Sequence, residues 1–132
     1  MSKGKVLIVD DEPDIIRAIS MRLKAEGYDA VAAMDGMQAV NMAMKEHPDL
    51  IILDIGLPAG DGHSVVERLQ ASTITCTTPI IFLTARTSEE DYKKAMSRGV
   101  NRYITKPFDP QELISCVASL ITGVTIDNQK AN

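Results

Sequence analysis

Val6-Leu7-Ile8-Val9-Asp10-Asp11-Glu12 is the stretch that decides the fold: an unbroken apolar run that ends abruptly in three acids. A short apolar run without polar alternation reads as a strand buried on both faces, the habit of parallel sheets. The pattern recurs at Leu50 to Leu53 and Ile80 to Leu83, and more weakly at Tyr28 to Ala33 and Arg102 to Thr105. Between these runs the apolar residues take helical spacing. Examples are Ile15, Ile19 and Leu23 in the first interval and Leu113, Ile114, Val117, Leu120 and Ile121 after the last strand. Pro13 suits a first helical turn, Gly27 and Gly99 suit helix ends, and Pro48, Pro79 and Pro110 fall between the periodic segments. Five strand–helix alternations with short connections predict an α/β fold. It is a doubly wound five-stranded parallel sheet with helices on both faces.

The rest of the chain agrees with a single domain. Its 132 residues suffice for one core and not for two full-sized ones. A composition of 45% hydrophobic and 24% charged residues excludes disorder, collagen and coiled coil. The net charge of −4 lacks the clustered basic excess of a nucleic-acid footprint, and without tryptophan there is little to stack bases on. Cys76 and Cys116 have no CxxC spacing, which suits a reducing compartment. The apolar run before Asp10 is too short for a signal-peptide core or a membrane span, so the expectation is a cytoplasmic protein without membrane contact.

Ligands of open parallel sheets bind beyond the carboxyl ends of the strands. Those ends carry Asp10 and Asp11, then Asp54, Thr84 and Lys106. Each has a local explanation: Asp10 or Asp11 as a cap for the helix of Pro13, Asp54 starting a turn, Thr84 capping, Lys106 solvated. Local explanations do not account for acids ending both the first and third strands, which are neighbours in a 2-1-3-4-5 order. Two carboxylates about 4 Å apart repel by roughly 4 kcal/mol at an effective dielectric of 20, so the cluster calls for a counter-charge or protonation. An oxygen-only donor set suits a hard divalent cation, Mg²⁺ or Mn²⁺, and neither His47 nor His63 has zinc-site spacing. His47, just before Pro48, reads as a cation at a helix end.

Five motifs in order resemble response regulator receiver domains: Val6 to Glu12; Asp54 followed by Pro58; Asp61-Gly62; Thr84-Ala85; and Lys106-Pro107-Phe108. The resemblance covers roughly residues 4 to 121 and implies the flavodoxin-like strand order 2-1-3-4-5. It further implies a phosphoacceptor switch of a two-component system, which is not an enzyme beyond Mg²⁺-dependent self-phosphorylation and autodephosphorylation. Asp54 is then the phosphoacceptor, taking a phosphoryl group from a sensor histidine kinase or a histidine phosphotransfer protein. Asp11, Asp54 and the backbone carbonyl of Gly56 would ligate Mg²⁺, with Asp10 acting through a water. Lys106 and Thr84 would hold the phosphoryl oxygens, and Thr84 with Tyr103 would shift the surface of the fourth helix, fifth strand and fifth helix toward an output partner. Homodimerisation on phosphorylation is compatible with the resemblance. Gly56 departs from the larger side chain usual two residues after the acceptor. Together with Arg86, two residues after Thr84, it flanks the path of the hydrolytic water in relatives.

Flavin binding on the same fold wants a Ser/Thr/Gly phosphate loop where this chain has Asp10-Asp11-Glu12, and an aspartate-based phosphatase wants a second acid where Gly56 stands. A phosphate-independent interaction module on the same scaffold is the third alternative. The expected division is a receiver domain over residues 1–122 and a polar tail over 123–132, read either as a free terminus or as the start of a linker in a longer regulator or hybrid kinase.

Overall fold

The structure, a computed structural model, describes residues 2–123. Most of the expected polar tail, from Val124 onward, lies outside the described residues. Strands and helices alternate as β1 (Lys5–Val9), α1 (Pro13–Ala25), β2 (Asp29–Ala33), α2 (Gly36–Glu46), β3 (Leu50–Leu53), α3 (Gly62–Gln70), β4 (Ile80–Thr84), α4 (Glu89–Ser97), β5 (Arg102–Thr105) and α5 (Pro110–Thr122). All neighbouring strands pair in parallel, in the order β2-β1-β3-β4-β5.

The two-residue period of a strand divides the core. Val6, Ile8, Leu50, Ile52, Ile81 and Leu83 face α1 and α5, where they meet Ile19, Leu23, Leu113 and Val117. The alternate residues Leu7, Val9, Ile51, Leu53 and Phe82 face α2, α3 and α4. Each fully buried Ile or Leu contributes roughly 1.5–3 kcal/mol by leaving water. Burial on both faces holds for the three central strands and fails for β2 and β5, whose residues are largely exposed or half-buried. These are the sheet edges, covered less completely, which is why their sequences look weak as strands.

Helix starts follow capping chemistry. Asp35, Asp61, Ser88 and Asp109 precede α2 to α5, and each side chain accepts a hydrogen bond from an N–H in the first turn. Gly27 and Gly99 take positive φ just past α1 and α4, as the sequence suggests, and Gly123 ends α5 the same way. His47 caps the end of α2 in a left-handed conformation. Gly62 is required by close approach, because a Cβ there would lie 2.6 Å from the Asp54 carbonyl oxygen and 2.7 Å from Ile55 Cα. The chain can therefore leave β3, loop, and start α3 directly against its own strand end.

A polar contact joins α3 to α4. His63, 7% exposed, packs edge-on against Phe82 and is hydrogen-bonded to Asp91 at 2.9 Å. Asp91 also accepts from Ser88 Oγ at 2.9 Å, and Arg86 Nη1 lies 3.8 Å away. The His63 hydrogen bond holds the Asp91 carboxyl below its ordinary 3.8, with burial opposing and Ser88 and Arg86 assisting.

Two outcomes are expected. Gly62→Ala should cost about 1–3 kcal/mol in urea unfolding, because rigid backbone has to move; a loss below about 0.5 kcal/mol would mean the strand end yields easily. A carboxyl with a lowered folded-state pKa stabilises fully above its unfolded value and loses that contribution as pH falls through the folded value. The stability difference between the parent and Asp91→Asn should therefore hold at about pH 5 and shrink as pH falls through about 4 and below. Urea midpoints measured across that range check it, and a difference that grows on acidification would contradict the assignment.

Candidate functional site

Sheet register brings the strand-end residues together. Val9 pairs with Leu53, so the next residues, Asp10 and Asp54, leave adjacent strands side by side. Hydrogen bonding continues past the strands: Asp10 N–H donates to the Ala33 carbonyl at 3.2 Å, Asp54 N–H to Val9 at 3.0 Å, and Lys106 N–H to Thr84 at 2.8 Å. The backbone under the cluster is thus fixed by the sheet itself.

Three of these side chains also shape their own loops. Asp10 Oδ1 accepts from Glu12 N–H at 2.9 Å, Asp54 Oδ1 from Gly56 N–H at 3.2 Å, and Thr84 Oγ1 from Arg86 N–H at 3.2 Å. Each is a turn closed between a side chain and the backbone two residues on. The turn expected at Asp54 is present, but Asp10 and Thr84 close turns of the same kind instead of capping helices, Glu12 precedes α1 without a side-chain cap, and Lys106 is paired and largely buried instead of solvated; each carboxylate keeps its second oxygen for the cluster. Lys106 Nζ lies 2.8 Å from Asp10 Oδ2 and 3.2 Å from Asp54 Oδ2, with Glu12 Oε1 at 3.8 Å.

The electrostatics follow from burial. Asp10 and Asp54 are 2% and 8% exposed and Thr84 is fully buried, whereas Asp11 faces solvent. Burial pushes the Asp10 carboxyl above its ordinary range despite hydrogen bonds from Lys106 and Glu12, and the Asp54 charge adds to the rise. Burial works against the Lys106 ammonium, but its hydrogen bond and attraction to Asp10, reinforced by Asp54, outweigh that and raise its pKa. One ammonium therefore already supplies part of the counter-charge that the sequence demands.

Asp10, Asp11 and Asp54 can each offer a ligand oxygen, all within 4.8 Å of one another. Three carboxylates around one ammonium leave two formal negative charges uncompensated. A donor set made only of hard oxygens with that charge deficit fits a divalent cation such as Mg²⁺ or Mn²⁺. In the loop beyond Asp54 the left-handed backbone falls on Ala59 and Gly60, and Gly56 is not in that region. Neither backbone conformation nor a clash requires glycine at 56: the atoms nearest to where its Cβ would stand are Arg86 Nε and Nη2, both at an ordinary contact distance of 3.8 Å.

Tyr103 on β5 lies opposite Phe82 in register and stacks edge-on between Phe82 and Tyr92. Its hydroxyl donates to the Arg86 carbonyl at 2.9 Å. Arg86 is thus a junction: its N–H is held by Thr84, its carbonyl by Tyr103, and its side chain lies beside Asp91 and Gly56. Sequence reasoning brings Asp10, Asp11, Asp54, Thr84 and Lys106 to one rim, and the structure gathers them there. It misses the His63–Asp91 pair and the junction at Arg86, since both join residues from different strand–helix units. The Ser88-x-x-Asp91 spacing is the one local signal that α4 begins with a polar network.

Comparison with known proteins agrees with this fold. The family described as response regulator receiver domain matches residues 6–118. The probable transcriptional regulator ycf27 of Porphyridium aerugineum is 38% identical over 124 residues, covering 94% of this chain and 50% of that protein. The DNA-binding dual master transcriptional regulator RpaA of Synechocystis is 38% identical over 117 residues, covering 89% of this chain and 48% of that protein. The chain thus spans about half the length of these relatives. Among solved structures, the receiver domain of sensor histidine kinase PA1611 from Pseudomonas aeruginosa, with a magnesium ion coordinated in its active site cleft, is similar. Its TM-score is 0.81 at 32% identity, covering 92% of this chain and 98% of that one. Among the described residues no helix is long and apolar enough to cross a membrane. Fold and sequence relatives agree that the chain belongs to the response regulator receiver domain family of two-component signalling.

Proposed function

We propose that the chain is a phosphoacceptor switch in which a sensor histidine kinase or a histidine phosphotransfer protein donates a phosphoryl group to Asp54. The observation that carries this reading is the pair of buried carboxylates, Asp10 and Asp54, bridged by Lys106 within reach of Asp11. An Asp54 oxygen attacks phosphorus as the phosphorus–nitrogen bond of the donor's phosphohistidine, protonated on its other ring nitrogen, breaks, leaving an acyl phosphate on Asp54 and a neutral imidazole on the donor. Asp11, Asp54 and the Gly56 carbonyl would hold Mg²⁺ or Mn²⁺, with Asp10 acting through a water. Bound there, the cation supplies neutralisation of charge on the transferred group's oxygens. Lys106 is the fixed cation for one phosphoryl oxygen and the Thr84 hydroxyl the hydrogen-bond donor for another.

The switch follows from the bonds that change. When Thr84 Oγ1 turns to a phosphoryl oxygen, the Arg86 N–H loses its acceptor, and the Arg86 carbonyl that holds Tyr103 shifts with it. The output is a changed α4–β5–α5 surface, read by a downstream protein or domain, with homodimerisation on phosphorylation as one form of that output. This segment itself is assigned no contact with nucleic acid or membrane and a cytoplasmic setting, and the receiver domain is taken as residues 1–122. A second reading, a receiver within a longer regulator, is favoured by the half-length match to transcriptional regulators.

Intact mass after incubation with acetyl phosphate and Mg²⁺ tests the acceptor. A single acid-stable, base-labile adduct is expected in the parent and none in Asp54→Asn, and an adduct unaffected by the substitution would refute the assignment. Lys106→Ala and Thr84→Ala are expected to retain Mg²⁺ binding by calorimetry while losing the response of Tyr103 fluorescence to the adduct. Loss of Mg²⁺ binding in Thr84→Ala would contradict its assignment to the phosphoryl group alone.

A further inference from the structure

Arg86 stands between two anionic positions. One edge of its guanidinium, through Nη1, lies 3.8 Å from Asp91 Oδ1 on α4. The other, through Nε and Nη2, lies 3.8 Å from where a Cβ would stand on Gly56, whose N–H holds Asp54 Oδ1. Lys106 approaches Asp54 through the other oxygen, Oδ2. Residue 56 has no side chain, and the only atoms within 4 Å of where its Cβ would stand belong to this guanidinium. Its side chain is 47% exposed, so it is free to swing, and its hold on Asp91 is loose beside the 2.9 Å bonds that Asp91 makes with His63 and Ser88.

We propose that Arg86 is a second phosphoryl-binding cation that exchanges partners, leaving Asp91 for the phosphoryl group on Asp54 and so uncoupling the start of α4 from the β4–α4 loop. Charge decides the direction. A phosphoryl group brings nearly two negative charges and three acceptor oxygens, against the single charge of a carboxylate already bonded to His63 and Ser88. The planar guanidinium can donate to two phosphoryl oxygens at once while carrying a fixed positive charge, a combination no neutral side chain at position 86 offers. The exchange gives α4 a trigger of its own, separate from the Thr84 hydroxyl. Asp91 keeps His63 throughout, so the helix is loosened without being detached.

The proposal rests on Asp54 being the acceptor, and a double-mutant cycle separates the two. Beryllium fluoride with Mg²⁺ serves as the phosphoryl probe, titrated into the full chain, Arg86→Gln, Asp91→Asn and the double variant, each first shown to unfold cooperatively. Arg86→Gln is expected to weaken the probe about five- to tenfold. Asp91→Asn, which frees the guanidinium, is expected to tighten it about two- to fivefold. In the Arg86→Gln background Asp91→Asn should have no effect, since there is no cation left to release. Arg86→Gln binding as tightly as the parent, or Asp91→Asn acting equally in both backgrounds, would overturn the exchange while leaving the acceptor intact. A parent that binds no probe, like Asp54→Asn, would overturn the acceptor assignment and the exchange with it.

Discussion

The ammonium of Lys106 between Asp10 and Asp54 is the interaction on which the site depends. Two buried carboxylates on adjacent parallel strands are forced together by register, and neither can turn away, because each has one oxygen committed to its own loop. Without a cation one of them would have to take a proton or the strand ends would have to part. The cation comes from the end of β5, separated from β1 in the sheet by β3 and β4 and from Asp10 in the chain by 96 residues. Only a long flexible side chain rooted at the rim can lie across it, which explains a lysine there and excludes a short polar residue. An ammonium also leaves the cluster anionic, so the site is preorganised for a further positive charge without being satisfied in advance.

The same economy appears at each strand end. Asp10, Asp54 and Thr84 close a turn with the N–H two residues ahead, and this is the element that converts an extended strand into a loop without leaving buried donors unpaired. A single side chain therefore fixes the backbone while standing at the rim. Structure and chemistry are not competing readings of these residues. Replacing an acid by an amide of the same shape preserves the turn acceptor while removing the charge, so the two contributions can be separated experimentally.

What was legible in the sequence is what depends on local order. β1, β3 and β4 announce themselves because strands buried on both faces have no polar residue to interrupt them. The weaker signals of β2 and β5 come from their edge positions, where Asp29 and Arg102 meet solvent. The rim residues were legible too, since in a parallel sheet every strand end faces the same way and one look past each apolar run finds them. Illegible were contacts between side chains of different units. Nothing in Gly62-His63 or in Glu90-Asp91 shows that the imidazole and the carboxylate meet at 2.9 Å, because that depends on how α3 and α4 pack across Phe82. The role of Lys106 as an internal counter-charge was hidden for the same reason: its partners are fixed by strand order and reach.

The arrangement around Arg86 shows how short the path from rim to surface is. Thr84, wholly buried, and Tyr103, on the edge strand, are linked through the two ends of one residue, since Arg86 donates its N–H to the first and accepts from the second. Tyr103 in turn touches Phe82 in the core and Tyr92 on α4. A displacement at the Thr84 hydroxyl therefore meets no yielding side chain before it reaches the aromatic pair. Close-packed interiors pass strain along with little loss, so a bond lost at one end of Arg86 is felt at the other. In the switch proposed above, the β4–α4 loop is the short link between a buried hydroxyl and an exposed helix, and the surface beside α4 and β5 is where a chemical change at the rim would emerge.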